Sequence, residues 1–247
     1  LALVALAAAA CVATAPSARA ADPPLRLRDQ LGGPTTAVAI HGTQGYLAVG
    51  PRLLTFDVTD PTAPLKPAAV FPLDGQLFAP VREMTVAGDV AYLAGPGGFR
   101  IADLRRGDPV LAGGMSTGET GTSDIAVADD RLYAATPDGD LLVYDVSGYR
   151  AWRPALLSRT PQGGDRVEAV GRTVYVAEAD GVRVVDATDG TSPRRVGTLA
   201  AMGRPVDLAV AGGALLVVST SESAGADSAN GWSWSRSSPI AGSVAFW

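Results

Sequence analysis

The sequence contains few of the side chains on which metal sites and nucleophilic catalysis depend. Cysteine and histidine each occur once among the 247 residues, as Cys11 and His41. Zinc sites and serine triads need clusters of such side chains. The single histidine therefore argues against both kinds of site, and the single cysteine leaves no pair for an intrachain disulfide.

Clustered positive charge is also missing. Lys66 is the only lysine, Lys and Arg never form a run, and the formal net charge is −5 at pH 7. Surfaces that bind nucleic acid depend on clustered Lys and Arg, so a nucleic-acid partner is not expected. The glycine motifs that hold nucleotide phosphates are absent too, and no cofactor is predicted.

The first twenty residues, LALVALAAAACVATAPSARA, form an apolar leader. Ala18-Arg19-Ala20 is a small-residue site of the kind that signal peptidase accepts, and the run is too short for a good membrane span. We interpret residues 1–20 as a secretory signal peptide and 21–33 as a linker, and we expect a secreted or cell-surface protein without a transmembrane helix. Since no initiator methionine or basic segment precedes the leader, we expect the reading frame to begin further upstream.

The only cysteine lies inside this leader. Cleavage after Ala20 would remove Cys11 and leave the mature chain without a thiol. The stretch AAAAC also resembles a lipoprotein cleavage box, so a lipid anchor at Cys11 is the alternative to free secretion.

A repeat of about 41 residues occupies the rest of the chain. Each copy has an anchor residue in a short apolar strand, and an apolar residue stands six positions before it. The anchors are Tyr46, Tyr92, Tyr133, Tyr175 and Leu216, and the preceding apolar residues are Ile40, Val86, Val127, Ala169 and Val210. The tyrosines are expected to pack between repeats.

The first four copies continue in the same way after the anchor. A tight-turn signal is followed by a strand that ends in aspartate, then by a turn and a fourth short segment. The turn signals are Gly50-Pro51, Gly97-Gly98, Asp138-Gly139 and Asp180-Gly181. Four short strands per unit, without helical periodicity, predict an all-β fold, a β-propeller of four-stranded antiparallel blades. A Greek-key sandwich would not produce this regular spacing.

The propeller is predicted to span 34–247. Its blades are expected near 34–75, 78–118, 120–163, 165–203 and 204–247, the last of them degenerate or truncated. SVAFW at 243–247 is predicted to begin the third strand of the fifth blade, and GWSWS at 231–235 to be a loop. The alternative for this tryptophan pair is contact with a carbohydrate or a partner. So few blades would leave open edges, which suggests a truncated sequence whose missing part supplies the remaining blades. An insertion within blade five is compatible with this interpretation.

Two segments resemble a known bacterial repeat. GYLAVGPRLLTFDVTDPTAPLKPAAVF and VYVAEADGVRVVDATDGTSPRRVGTL are similar to the LVIVD repeat of secreted and cell-surface propellers. The resemblance covers about 35–218, although the second and third copies have DLRRGDP and DVSGYRAWRP where the family has Asp-Val-Ser-Asp-Pro. It implies architecture and location more than chemistry.

Recurring aspartates at the strand ends are the first candidate site. Asp57 and Asp60 alone would suggest an acid/base pair or a calcium loop. One aspartate recurs in each of four copies, however, as Asp57, Asp103, Asp145 and Asp186, whereas catalysis needs one asymmetric pair. We interpret these four as structural turn aspartates. Neither DVTDPT nor PDGDLL matches a calcium loop, so no metal site is predicted.

A second recurring position lies three residues before the apolar marker. It holds Ala37, Glu83, Asp124, Arg166 and Asp207. Because the innermost strand of a blade lines the central channel, we take the four polar residues as candidates for the rim of the channel, where they would bind a cation or a basic partner. The alternative is that each carboxylate accepts hydrogen bonds from backbone N–H groups at the start of its strand, with Arg166 paired to an acid on a neighbouring blade.

These patterns favour an exported propeller that binds or scaffolds an envelope or extracellular protein or glycan, with no catalytic residue predicted. A hydrolase or lyase that uses Glu83, Asp124 or Asp207 is one alternative. The docking part of a longer multidomain protein is another. His41 is expected in a loop at a blade edge, without a functional role.

Overall fold

The computed structural model describes residues 35–50, 52–60, 62, 67–72, 80–105, 109–147, 152–161, 163–201, 203–220 and 232–236. These residues form nineteen β-strands in five antiparallel sheets. No helix in this part of the chain is long and apolar enough to cross a membrane. The predicted signal peptide, the linker and Cys11 lie outside the described residues.

The strands follow the order of the chain, and each pairs with the next within its sheet. Sheet 1 contains β1 (Thr35–His41), β2 (Gln44–Val49), β3 (Arg52–Asp57) and β4 (Pro67–Pro72). Sheet 2 contains β5 (Glu83–Ala87), β6 (Val90–Gly95), β7 (Gly98–Asp103) and β8 (Val110–Ser116). Sheet 3 contains β9 (Asp124–Ala128), β10 (Arg131–Ala135), β11 (Asp140–Asp145) and β12 (Ala155–Pro161). Sheet 4 contains β13 (Arg166–Val170), β14 (Thr173–Ala177), β15 (Gly181–Asp186) and β16 (Arg194–Ala200). Sheet 5 contains β17 (Arg204–Ala211), β18 (Ala214–Thr220) and β19 (Trp232–Arg236).

The sheets are arranged as successive propeller blades. The first strands of neighbouring sheets pack side by side: β1 on β5, β5 on β9, β9 on β13 and β13 on β17. These innermost strands line the channel, and the later strands of each sheet lie progressively further from it. The all-β propeller fold predicted from the repeat is therefore confirmed.

Apolar faces of neighbouring sheets form the core. Four clusters of buried residues each join two successive sheets. The repeat tyrosines Tyr46, Tyr92, Tyr133 and Tyr175 contribute one to each cluster and are 3%, 3%, 0% and 8% exposed. The prediction that the tyrosines pack between blades is therefore confirmed. The physical reason is that a four-stranded sheet has apolar side chains on both faces and buries them only by stacking on its neighbours.

The third strand of sheet 5 differs from the prediction. Trp232–Arg236 forms β19, which pairs with β18 and places Trp234 opposite Val218. Treating GWSWS as a loop was therefore wrong, and so was assigning the third strand to 243–247, which lies outside the described residues. The alternation Trp-Ser-Trp-Ser has the period of two that a strand requires, and the surrounding Ser and Gly residues obscured it.

Candidate functional site at the channel mouth

One register position brings the predicted rim residues to the same end of the innermost strands. Glu83, Asp124 and Arg166 are the first residues of β5, β9 and β13, and Asp207 is the fourth of the eight residues of β17. Each is opposite the equivalent residue of the second strand, namely Ala94, Ala135, Ala177 and Val218. We call Glu83, Asp124, Arg166 and Asp207 the channel mouth.

The sequence patterns missed Glu168, which lies beside the channel mouth. It is two residues after Arg166 on β13, and alternate residues of a strand point to the same side. Its charge interacts with those of Asp124 and Asp207. The period of two, applied from Arg166, would have identified it.

Each carboxylate of this group accepts a hydrogen bond from the backbone N–H of the following residue. The acceptor oxygens are Glu83 Oε1, Asp124 Oδ1, Glu168 Oε1 and Asp207 Oδ1, and the donors are Met84, Ile125, Ala169 and Leu208, at 2.9, 2.7, 3.0 and 2.9 Å. These contacts are the ones expected of carboxylates that stabilise the starts of strands. Ligand binding at these residues stays a prediction.

Two residues of the channel mouth also connect neighbouring blades. Asp124 Oδ2 accepts a hydrogen bond of 2.7 Å from the N–H of Val167 on β13. The Arg166 Nε–H donates to the carbonyl of Val206 on β17 at 3.1 Å. The same register position thus joins sheet 3 to sheet 4 through an acceptor and sheet 4 to sheet 5 through a donor.

The ion pair of Arg166 differs from the alternative proposed from the sequence. Its Nη1 lies 3.8 Å from Oδ2 of Asp165, the residue just before it in the chain. The ion pair is therefore local and does not join two blades. Arg166 still acts at longer range on its neighbours, because its positive charge opposes the rise in the pKa of Glu83 and of Asp124.

Negative charge is concentrated at this end of the channel. Burial, and then repulsion from nearby carboxylates, raises the pKa of Glu83 and of Glu168. Burial is also the main cause that raises the pKa of Asp124 to about 7, with a smaller contribution from the charge of Glu83. Such mutual repulsion creates a negative potential that a cationic group would relieve.

The turn aspartates lie away from this group, and each takes part in its own turn. The backbone N–H two residues further on donates to Oδ1 in all four copies. The acceptors are Asp57, Asp103, Asp145 and Asp186, and the donors are Thr59, Arg105, Ser147 and Thr188, at 2.9, 3.0, 2.8 and 2.9 Å. Side-chain hydrogen bonds from Thr59, Ser147 and Thr188, and then these backbone hydrogen bonds, hold the pKa of Asp57, Asp145 and Asp186 below the usual range.

The remaining features of the described residues are a histidine, the acidic side chains as possible metal ligands, and a cavity. His41 is the exposed last residue of β1. Within the described ranges, no three His, Cys, Asp or Glu residues are grouped so that they could hold a metal ion. A cavity of about 200 Å³ opens near the start of β13, and its lining includes Gly163, Glu178 and Arg204.

Comparison with known proteins supports the fold. Residues 120–148 match the family model of the LVIVD repeat. A functionally unknown protein from Desulfotomaculum acetoxidans DSM 771 is similar with a TM-score of 0.62 and 12% identity, over 77% of this chain and 64% of that one. No protein of curated function matches the sequence significantly.

Two further solved structures are similar at the level of the fold. The Pan2 WD40 domain of Neurospora crassa has a TM-score of 0.59 and 15% identity, over 75% of this chain and 56% of that one. BamB from Moraxella catarrhalis has a TM-score of 0.54 and 16% identity, over 77% of this chain and 57% of that one. The chain thus spans little more than half the length of these two relatives.

Proposed function

We propose that this chain is an exported module whose channel mouth binds a positively charged segment of a partner protein in the cell envelope or outside the cell. The chain is a β-propeller that carries the LVIVD repeat. The fold suits a binding or scaffolding role in general, because each blade contributes residues and loops to the same end of the channel. The proposal that the partner segment is positively charged rests on the negative charge of the channel mouth.

Three carboxylates at or beside the channel mouth keep acceptor capacity for a partner. Among the described residues, the second oxygens of Glu83, Glu168 and Asp207 accept no hydrogen bond. Lys or Arg side chains would supply the missing donors and offset the repulsion among the acids. These acceptor oxygens, held among acids that repel one another, are the observation that carries the proposal.

The same geometry gives less support to acid/base catalysis. Asp124 has the pKa closest to neutrality, yet both of its oxygens already accept backbone N–H groups. It is also only 7% exposed. A group held in this way suits stabilisation of the blades better than proton transfer to a substrate.

A charge-neutralising variant tests the binding proposal. Glu83→Gln combined with Asp207→Asn keeps an acceptor oxygen for Met84 and Leu208 but removes two negative charges. We expect the affinity for a fluorescent oligolysine peptide at low salt to fall by about two- to thirtyfold, the range for two partly exposed ion pairs. Fluorescence anisotropy measures the dissociation constant.

Asp89→Asn serves as the control, because Asp89 is exposed in the hairpin turn at the other end of β5 and β6. It should bind the peptide like the wild type. Equal affinity of all three proteins would contradict the proposal, as would binding that does not weaken with added salt. Selective binding on a glycan array, without binding to the peptide, would favour a carbohydrate partner instead.

Export is tested on the product of the complete gene in its own cells. The leader predicts that the mature protein begins at Ala21 and is found in the envelope or the medium. Mass spectrometry of the N-terminal peptide measures the cleavage site, and a mature chain that begins with a lipid-modified Cys11 would establish the anchored form. An uncleaved protein in the cytoplasmic fraction would contradict export.

A further inference from the structure

The four blade-to-blade interfaces inside the chain share one pattern. We call the side of a sheet that packs on the following sheet its front face, and the other side its back face. Front faces contribute the repeat tyrosines to the interfaces. Back faces contribute one buried residue of the innermost strand at a fixed register position: Met84, Ile125, Val167 and Leu208, which are 3%, 4%, 4% and 8% exposed.

The back face of sheet 1 departs from this pattern at its innermost strand. Val38 pairs with Leu47 in the register position where Met84 pairs with Leu93, and Ile40 corresponds to Val86. Val38 is nevertheless 63% exposed and Ile40 is 66% exposed. These are the side chains that a preceding blade would cover.

The front face of sheet 5 departs in the complementary way. Leu216 pairs with Ala209 in the register position where Tyr46 pairs with Ala39. It is 38% exposed, whereas the four tyrosines at this position are at most 8% exposed. The residue that a following blade would cover is therefore open to solvent.

We propose that these two faces are unfilled halves of the blade-to-blade interface and that further blades of the same repeat, carried by the same polypeptide, cover both. Each internal interface joins a front face to a back face. The exposed surfaces are one of each kind, so a blade with an apolar back face fits Leu216. A blade with an aromatic front face fits Val38 and Ile40.

The separation of sheets 1 and 5 favours further blades over direct contact between these two sheets. Within the described residues these two sheets make no substantial contact. The chain superposes on only 56% of the Pan2 domain and 57% of BamB. Five sheets thus cover little more than half of a comparable propeller, and the remaining arc has room for additional blades.

The back face of sheet 1 is exposed at its innermost strand but buried at its third strand. Leu54 and Phe56 lie on the back face too, but they are 7% and 4% exposed and form a separate cluster with Leu47. The surface to be covered is therefore the innermost strand, and the probe for it belongs at Val38.

Thiol labelling tests the proposal. Cys11→Ser removes the only cysteine, and Val38→Cys then places a single thiol on the open back face. Val196→Cys is the matched control, because Val196 is also 63% exposed and lies on β16, the outermost strand of sheet 4. Both thiols are labelled in the 247-residue chain and in the product of the complete gene, and Leu216→Cys repeats the measurement on the front face.

We expect the thiols at positions 38 and 196 to react at similar rates in the 247-residue chain. In the product of the complete gene, the thiols at positions 38 and 216 should react at least about tenfold more slowly, as expected for groups exposed only by local opening. The thiol at position 196 should react as before.

Three outcomes would overturn the proposal. The thiol at position 38 stays as reactive as its control in the complete product, or the complete gene encodes no further repeat. In the third, the thiol at position 38 is already protected in the 247-residue chain. The oligomeric state, measured by sedimentation, then identifies what protects the thiol. A dimer indicates that a second copy covers it, and a monomer indicates that another segment of this chain does.

Discussion

At the scale of single residues, carboxylates with similar sequence settings serve different purposes. Asp186 accepts the N–H of Thr188, two residues further on, so its hydrogen bond depends only on the local chain. Asp124 also accepts the N–H of Val167, 43 residues away on the next blade. Sequence patterns suffice for the first contact, whereas the second exists only because β9 and β13 pack together.

The raised pKa of Asp124 predicts a pH dependence of stability. Since the pKa is higher in the folded state, at about 7, than in the unfolded chain, protonation stabilises the fold. This contribution is complete below the unfolded pKa and is lost as the pH rises through about 7. The unfolding free energy of the wild type minus that of Asp124→Asn should therefore decrease from pH 5 to pH 8.

Urea denaturation followed by circular dichroism at several pH values measures this difference. Asp124→Asn also weakens the contact with Val167, but that cost does not depend on pH. Asp180→Asn, in an exposed hairpin turn, controls for the loss of one carboxylate. A wild-type-minus-variant difference that stays constant from pH 5 to pH 8 would disprove the assignment.

At the scale of elements, the unit of stability is the contact between two sheets. Tyr92 of β6 packs against sheet 3, in a cluster that includes Ile125 and Leu132. Phe99 and Tyr144 meet edge to face across the same interface, with ring centroids 5.1 Å apart. Alternation along each strand decides which side chains reach which neighbour.

Truncating the tyrosine should therefore be costly. We expect Tyr92→Ala to lower the unfolding free energy by about 3 to 5 kcal/mol, as for other large aromatic side chains removed from a core. Tyr92→Phe keeps the ring and should cost much less. Leu216→Ala, at the equivalent position of sheet 5, should also cost less because Leu216 is 38% exposed.

Chemical denaturation of the three variants measures these differences. Equal destabilisation by Tyr92→Ala and Leu216→Ala would contradict the assignment of the front faces, because it would mean that both positions are covered to the same extent.

At the scale of the whole molecule, the blades are coupled only to their neighbours. Sheets 2, 3 and 4 pack on a sheet at either side, whereas sheets 1 and 5 each have one neighbour among the described residues. Repeat proteins of this kind gain stability from each interface. The two outer sheets should accordingly open more readily than the three inner ones.

Native-state hydrogen exchange with mass spectrometry checks this gradient in the 247-residue chain. Amides of β10 and β14 should exchange most slowly, and those of β2 and β18 faster, since local opening requires fewer interfaces to break at the ends. Uniform protection across the five sheets would show that the outer faces are covered.

Much of this architecture was predictable from the sequence because its determinants are local. The spacing of Tyr46, Tyr92, Tyr133 and Tyr175, the turn glycines and the period of two in the strands predict blades and assign their faces. Strand β19 was missed because the surrounding Ser and Gly residues obscured the alternation of Trp and Ser. The position of Glu168 beside the channel mouth was missed because the other copies of the repeat have no acid at the equivalent position.

The sequence by itself determined the repeat, the strands and the side of each strand that is apolar, because these depend on neighbours within a few residues. Only the tertiary structure decided that Asp124 connects two blades. It also decided that Glu168 lies beside the predicted rim residues, and that Val38 and Leu216 stay exposed where their equivalents are buried. Those properties depend on packing between strands some 40 residues apart, which sets burial, charge repulsion and the open faces together.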